Sequence, residues 1–166
     1  MHRTAMRIAI ISDTHMPRGD RRIPASCLER CRDADAILHA GDLVDVPVLE
    51  LLRGLGPPLH AIYGNVDTAA IRALLPARME VELDGVRIGM IHAPGPAAGR
   101  LSRLRTAFPR CQAVVFGHTH MPEHAEQDGF QIFNPGSPTE RRRAPLHTMG
   151  VARIVDGAIA FELLVV

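Results

Sequence analysis

Arg7-Ile8-Ala9-Ile10-Ile11-Ser12, running into Asp13-Thr14-His15, joins a short apolar, β-prone run to two side chains of the kind that bind cations. The same arrangement recurs four times along the chain. Ala36–Ala40 runs into Gly41-Asp42, Leu59–Tyr63 into Gly64-Asn65-Val66-Asp67, Arg87–Ile91 into His92, and Ala113–Phe116 into Gly117-His118-Thr119-His120. In α/β sheets, sites assemble outside the carboxyl ends of strands. Five such endings in one domain can therefore converge on one crevice. Gly41, Gly64 and Gly117 each stand directly before a ligand-type residue, where the absence of a Cβ allows a sharp turn and close backbone approach.

Helical segments separate the first runs. One extends from about Pro24 to Cys31, with proline suited to a first turn. Val46 to Leu55 is amphipathic and closed by Gly54 and Gly56. Thr68 to Leu75 has Thr68 as N-cap and Pro76 as its stop, and Arg100 to Phe108 is a fourth helix. Three Asp-Gly pairs signal hairpins. Asp84-Gly85 joins Arg78–Leu83 to Arg87–Ile91, Asp128-Gly129 joins Glu123–Gln127 to Phe130–Phe133, and Asp156-Gly157 joins Val151–Val155 to Ala158–Val165. The first half alternates strand and helix, which implies parallel pairing. The second half is hairpin-rich, which implies antiparallel pairing. Mixed sheets with helices outside satisfy both. The 166 residues, without internal repeat or low-complexity linker, fit a single domain over 1–166.

Composition excludes several classes. Hydrophobic residues make up 46% and charged residues 22%, an ordinary globular balance. A formal net charge of +1 gives no reason to expect nucleic-acid binding driven by bulk charge. No apolar run approaches the roughly 20 residues of a membrane helix, and Ile8–Ile11 is too short for a secretory signal. The expected location is the cytoplasm. Cys27, Cys31 and Cys111 are an odd set without a Cys-x-x-Cys pair, which argues against a disulfide framework; Cys27 and Cys31, four apart, read as small packing residues on one helix face. Nine histidines beside one tyrosine and no tryptophan invite a search for metal ligands.

Three oxygen donors (Asp13, Asp42, Asn65) and four imidazoles (His15, His92, His118, His120) make seven candidate ligands. One cation takes about four to six. Seven are better explained by two divalent cations with one carboxylate bridging. Mixed nitrogen and oxygen donors suit Mn, Fe, Zn, Co or Ni, with manganese the first expectation, and fit Ca poorly. Each motif alone has a plainer explanation: Asp13 as a turn residue, Gly64-Asn65 as a simple turn, His92 as a satisfied core histidine. Their order at five strand ends argues for a site. His2, His39, His60, His124 and His147 belong to no motif and read as surface or core residues, although His39 lies three residues before Asp42 on the same strand.

At these residues the chain resembles the calcineurin-like metallophosphoesterase superfamily, and most closely its small bacterial and archaeal phosphodiesterase branch. The matching elements are Asp13-x-His15, Gly41-Asp42, Gly64-Asn65-x-Asp67, the strand-end His92, Gly117-His118-x-His120 and the turn Asn134-Pro135-Gly136-Ser137. The resemblance implies a four-layer α-β-β-α sandwich of two mixed β-sheets flanked by helices. It implies one cation at Asp13, His15 and His120, another at Asn65, His92 and His118, and Asp42 between them. It implies a metal-dependent hydrolase of small phosphate esters, phosphodiesters before monoesters, in which Asp42, Asn65, Asp67 and His92 contribute to catalysis. The alternative it carries is a metal-binding interaction scaffold of the same fold, like the retromer subunit, with little or no catalysis. That subunit lacks part of the histidine set that this chain keeps. A homo-oligomer is left open.

Two departures bear on mechanism. Many superfamily members carry His or Glu where this chain has Asp67, which is then expected to orient Asn65 or a ligand imidazole. His92-Ala93-Pro94 stands where relatives often read His-Gly-His. With no obvious general-acid histidine, esters with good leaving groups are the expected substrates. Arg141-Arg142-Arg143 reads as a solvated loop in preference to a phosphate-facing patch.

Overall fold

The computed structural model describes residues 4–166; His2 lies outside them. The elements are β1 (Met6–Ile11), α1 (Ala25–Arg32), β2 (Ala36–His39), α2 (Val46–Arg53), β3 (Leu59–Ala61), α3 (Ala69–Leu74), β4 (Arg78–Leu83), β5 (Val86–Ile91), α4 (Arg100–Ala107), β6 (Ala113–Val115), β7 (Glu123–Gln127), β8 (Phe130–Asn134), β9 (Thr148–Val155) and β10 (Ala158–Val165).

Local chemistry explains the element ends. The Thr68 hydroxyl accepts from the Ile71 amide and caps α3, an interaction usually worth about 1 kcal/mol. The Asp45 side chain accepts from the Val46 amide at the start of α2. Gly54 closes α2 as its C-cap in a right-handed conformation, φ −73°, and the positive φ falls at Gly56. All three Asp-Gly pairs have φ > 0 at both residues, the geometry of the two-residue turns that suit the twist of paired strands.

Two five-stranded sheets form, ordered β10-β9-β1-β2-β3 and β4-β5-β6-β8-β7. The helical crossovers make β1, β2 and β3 parallel. The antiparallel pairing expected of the second half holds within its three hairpins, and one feature departs from it. β5, β6 and β8 are parallel, because α4 carries the chain back between β5 and β6. The β9–β10 hairpin leaves the second sheet and joins the first, antiparallel to β1. The apolar tail is thus an edge strand.

Alternation along β1 builds the layers. Ile8 and Ile10 point between the sheets, where they meet Leu38, Ile62, Ile88, Met90, Val115 and Phe133. Ala9 and Ile11 point the other way, into a layer with Cys27, Cys31, Leu49, Leu52 and Ile71 of α1, α2 and α3. Leu104 of α4 and Phe108, its C-cap, cover the far sheet over Val114, Phe116 and Ile132. The four-layer α/β sandwich is the result. Burying each large aliphatic side chain contributes roughly 1.5–3 kcal/mol. Cys27 and Cys31 are free, buried packing residues. Among the described residues no helix is long and apolar enough to cross a membrane.

Candidate metal centre

The parallel strands deliver their carboxyl ends to one edge of the sandwich. β1 ends at Asp13 and His15, β2 at Asp42, β3 at Asn65, β5 at His92, and β6 at His118 and His120. Two clusters form there. Asp13, His15 and His120 make one and Asp42, His92 and His118 the other, with the donor atoms of each cluster within 4.8 Å of one another. All seven expected ligand residues share this crevice.

One oxygen joins the clusters. Asp42 Oδ2 lies 3.4 Å from His15 Nε2 and 3.0 Å from His92 Nε2. Its companion, Oδ1, accepts from the Val66 amide at 2.9 Å. Asp13 is divided similarly. Oδ1 faces His15, His92 and His120 at 3.8, 3.8 and 3.4 Å, while Oδ2 accepts from the Ser12 hydroxyl and the His118 amide at 2.7 and 3.0 Å. Asn65 Oδ1 lies 3.1 Å from His92 Nε2 and 3.0 Å from His118 Nδ1.

The clusters differ in exposure. Asp13 and His120 are fully buried and His15 nearly so, whereas Asn65 is exposed and His118 half-buried. The Asn65–His118 side is therefore the open mouth of the crevice.

Neighbouring groups fix the imidazoles. His92 Nδ1 donates to the Ala40 carbonyl at 2.7 Å, and His120 Nδ1 donates to the Glu140 carbonyl. Both bonds leave Nε2 as the atom aimed into the crevice, the arrangement that fixes the ring of a metal-ligating histidine. The Nε2 atoms of His15 and His120 are buried and have no hydrogen-bond partner among the described residues. Buried polar atoms are rarely left so.

Five of the seven candidate ligands have left-handed backbones: Asp13, His15, Asp42, His118 and His120, with φ between 46° and 71°. Such conformations cost on the order of 1–3 kcal/mol each and need support. Ser137 Oγ donates to the Asp13 carbonyl at 2.8 Å, and Thr139 Oγ1 to that of Thr14 at 2.6 Å. Asn134 Nδ2 donates to the Gly117 carbonyl at 3.3 Å. The Asn134–Ser137 turn is thus a brace under the ligand loops. A Cβ on Gly64 would lie 2.1 Å from Asp42 Oδ1, and one on Gly117 2.6 Å from Asp13 Oδ2. Both glycines exist for close approach.

Asp67 differs from its expected role. Its hydrogen bonds go to neither the Asn65 side chain nor an imidazole. Oδ2 accepts from the amides of Asp42 and Gly64 at 2.9 and 2.7 Å, and Oδ1 from that of Val44 at 2.7 Å. It ties the Asp42 loop to the Asn65 loop through backbone. Arg72, which the sequence did not single out, grips the same segment by donating to the carbonyls of Gly64, Asn65 and Asp67. His39 is a buried positioning residue. Its Nδ1 accepts from the Gly41 amide, so Nε2 is the ring nitrogen facing Thr14 Oγ1, 3.1 Å away. His124 packs against Phe133 and Phe161, away from the centre.

The electrostatics suit cations. Burial opposes ionisation of Asp42, but the His15 and His92 partners overcome it and hold the carboxyl well below the aspartate range. Burial likewise opposes protonation of His15, and Asp13 and Asp42 overcome it, raising the imidazole to about 9. Both shifts record two anionic carboxylates seeking positive charge. The side chains of Arg141, Arg142 and Arg143 are exposed, and Arg141 donates to the Ala144 carbonyl at 2.9 Å.

A family model described as a calcineurin-like phosphoesterase superfamily domain matches residues 6–157, a span that contains every ligand motif. The chain belongs to this superfamily. A probable metallophosphoesterase of Methanothermobacter thermautotrophicus is 35% identical over 139 residues, covering 82% of this chain and 80% of the relative. A phosphodiesterase of Methanocaldococcus jannaschii is 24% identical over 144 residues, 79% and 83% of the two chains. Vacuolar protein sorting 29 from Cryptosporidium parvum superposes with a TM-score of 0.80 over 98% of this superfamily member and 99% of that protein, at 18% identity. At that identity the likeness concerns the fold alone.

Proposed function

We propose that the chain is a binuclear-metal phosphoesterase that hydrolyses phosphodiesters. Asp13, His15 and His120 would hold one divalent cation, Asn65, His92 and His118 the other, and Asp42 would bridge. The carrying observation is the single Asp42 oxygen that faces imidazoles of both clusters at 3.4 and 3.0 Å. The orphaned Nε2 atoms of His15 and His120 fit the same reading, because a cation is the partner they lack. Manganese suits the donor set, and iron, zinc, nickel or cobalt would also fit.

When bound, the pair supplies Lewis acidity and lowers the pKa of a water placed to attack phosphorus. The chain's residues do the rest. Asp13 and Asp42 offset half the charge of two divalent cations, which leaves the crevice attractive to a phosphate anion. As ligands, His92 and His120 would be neutral, each held in one tautomer by the Ala40 or Glu140 carbonyl. Asn65 and His118 line the exposed side, where a small substrate would enter. Among the described residues no histidine beyond the ligand set stands at the open side of the crevice to protonate a leaving group, so the reaction should favour leaving groups that depart unprotonated.

The test is a series of aryl phosphodiesters of graded leaving-group pKa, assayed with manganese. Turnover lost to chelation, restored by metal and falling as leaving-group pKa rises is the expected result. A flat profile would contradict the leaving-group argument. Full metal loading without turnover would favour the second reading, a metal-binding interaction scaffold. That reading draws on the Vps29-like fold, and the complete ligand set stands against it.

A further inference from the structure

Glu140 carries a side-chain carboxylate that the proposed reaction does not use. It follows the Asn134–Ser137 brace and is held by its own amide, which donates to Ser137 Oγ at 2.8 Å. Its carbonyl accepts from His120 Nδ1. Its carboxylate Oε2 lies 3.4 Å from His15 Nδ1. One residue therefore backs both imidazoles of the buried cluster, on the ring nitrogens that face away from the crevice. Arg21 closes the arrangement by donating to Oε2 at 3.2 Å and to the His15 carbonyl at 3.1 Å.

Among the described residues the open cluster has no carboxylate behind its imidazoles. His92 Nδ1 leans on a neutral carbonyl, that of Ala40, at 2.7 Å, and Asn65 is held through its backbone carbonyl by Arg72 at 2.9 Å. A carboxylate behind a ligating imidazole fixes the ring and raises its basicity toward the metal. A neutral carbonyl fixes the ring but adds no charge. The buried cluster also contains Asp13, which is fully shielded from water, so its attraction for a cation is less screened than at the exposed mouth.

We propose that Glu140 is a positioning residue that makes the two metal sites unequal. Its carboxylate behind His15 and its carbonyl behind His120 make the Asp13–His15–His120 site the tighter one, filled first, while the Asn65–His92–His118 site exchanges its cation more readily. The inference rests on the two-cation reading above. It deepens that reading by assigning an order of loading.

Stepwise titration of metal-free protein with manganese, followed by calorimetry, tests it. The unaltered protein should bind two equivalents in separable steps. Glu140→Gln keeps the backbone bond to His120 and removes only the charge, so the tighter step should weaken roughly 10–100-fold while the weaker changes less than about threefold. Glu140→Asp, which keeps the charge but withdraws it by one methylene, should fall between, and it carries the test if the glutamine variant does not fold. Cobalt absorption spectra of the first equivalent should change in Glu140→Gln, an effect that simple loosening of the loop would not confine to one step. A single equivalent bound by the unaltered protein would remove the two-cation reading and this inference together. Two equivalents with the tighter step unmoved, or with both steps weakened alike, would overturn the role of Glu140 and leave the two-cation reading standing.

Discussion

Replacing Asp42 with alanine is expected to lower manganese-dependent phosphodiester turnover by about a thousandfold. Asp42 Oδ2 is the oxygen shared by the two clusters, and Oδ1 anchors the Val66 amide beside Asn65 at 2.9 Å. Its removal withdraws one of two carboxylates and, on the two-cation reading, the bridge between the sites. Metal-assisted charge stabilisation is worth several kcal/mol, and about 4 kcal/mol corresponds to a thousandfold in rate. The fold should survive, because the residue lies at the crevice and not in the sandwich core. Steady-state assays on folded Asp42→Ala give the answer. Turnover within about tenfold of the unaltered protein would mean that the bridging oxygen is not part of the reaction.

Asp67→Ala should produce the largest loss of stability among the crevice residues. The substitution removes the acceptor of three amides, those of Asp42, Val44 and Gly64. Each buried donor left unpaired costs about 1–3 kcal/mol. Val44 is only half-buried, so water recovers part of the sum, and a net loss of about 3 kcal/mol follows. For a chain of this size that lowers Tm by roughly 6–12 °C. The Asp42 and Asn65 loops would loosen with it, costing about 10–100-fold in turnover, the range for a residue that acts through metal ligands. Asp67→Asn retains one acceptor oxygen and should lose less. Thermal unfolding that shifts by less than about 2 °C in Asp67→Ala would contradict the tie between loops.

The contrast between Asp42 and Asp67 marks what was legible in the sequence. Asp13, His15, Asp42, Asn65, His92, His118 and His120 follow apolar runs directly, and a strand places its next residues at a sheet edge whatever the distant chain does. The elements were legible for the same reason, since their periods and Asp-Gly turns are local. Sheet membership was not. The β9–β10 hairpin reads like the two before it, and only the packing of Ile154 and Ala152 beside Ile8 and Ile10 sends it to the first sheet. Supporting roles were hidden for a similar reason. The carboxylate of Asp67 satisfies amides of two loops, and Glu140 reaches His15 across a separation of 125 positions that no local pattern reports. The nearest signal was the Asn134–Ser137 turn, three residues before Glu140. Nor did residue type announce that five ligands adopt positive φ, because that conformation is supported from distant chain, by the brace beneath the Asp13 and Gly117 loops and by the Asp67 carboxylate at Asp42.

Anomalous diffraction from manganese-loaded crystals measures the central claim most directly. Two metal peaks are predicted in the crevice. One should lie among Asp13, His15 and His120, the other among Asn65, His92 and His118, with Asp42 in contact with both. A single peak, or manganese bound elsewhere with His15 and His120 still unpartnered, would contradict the account.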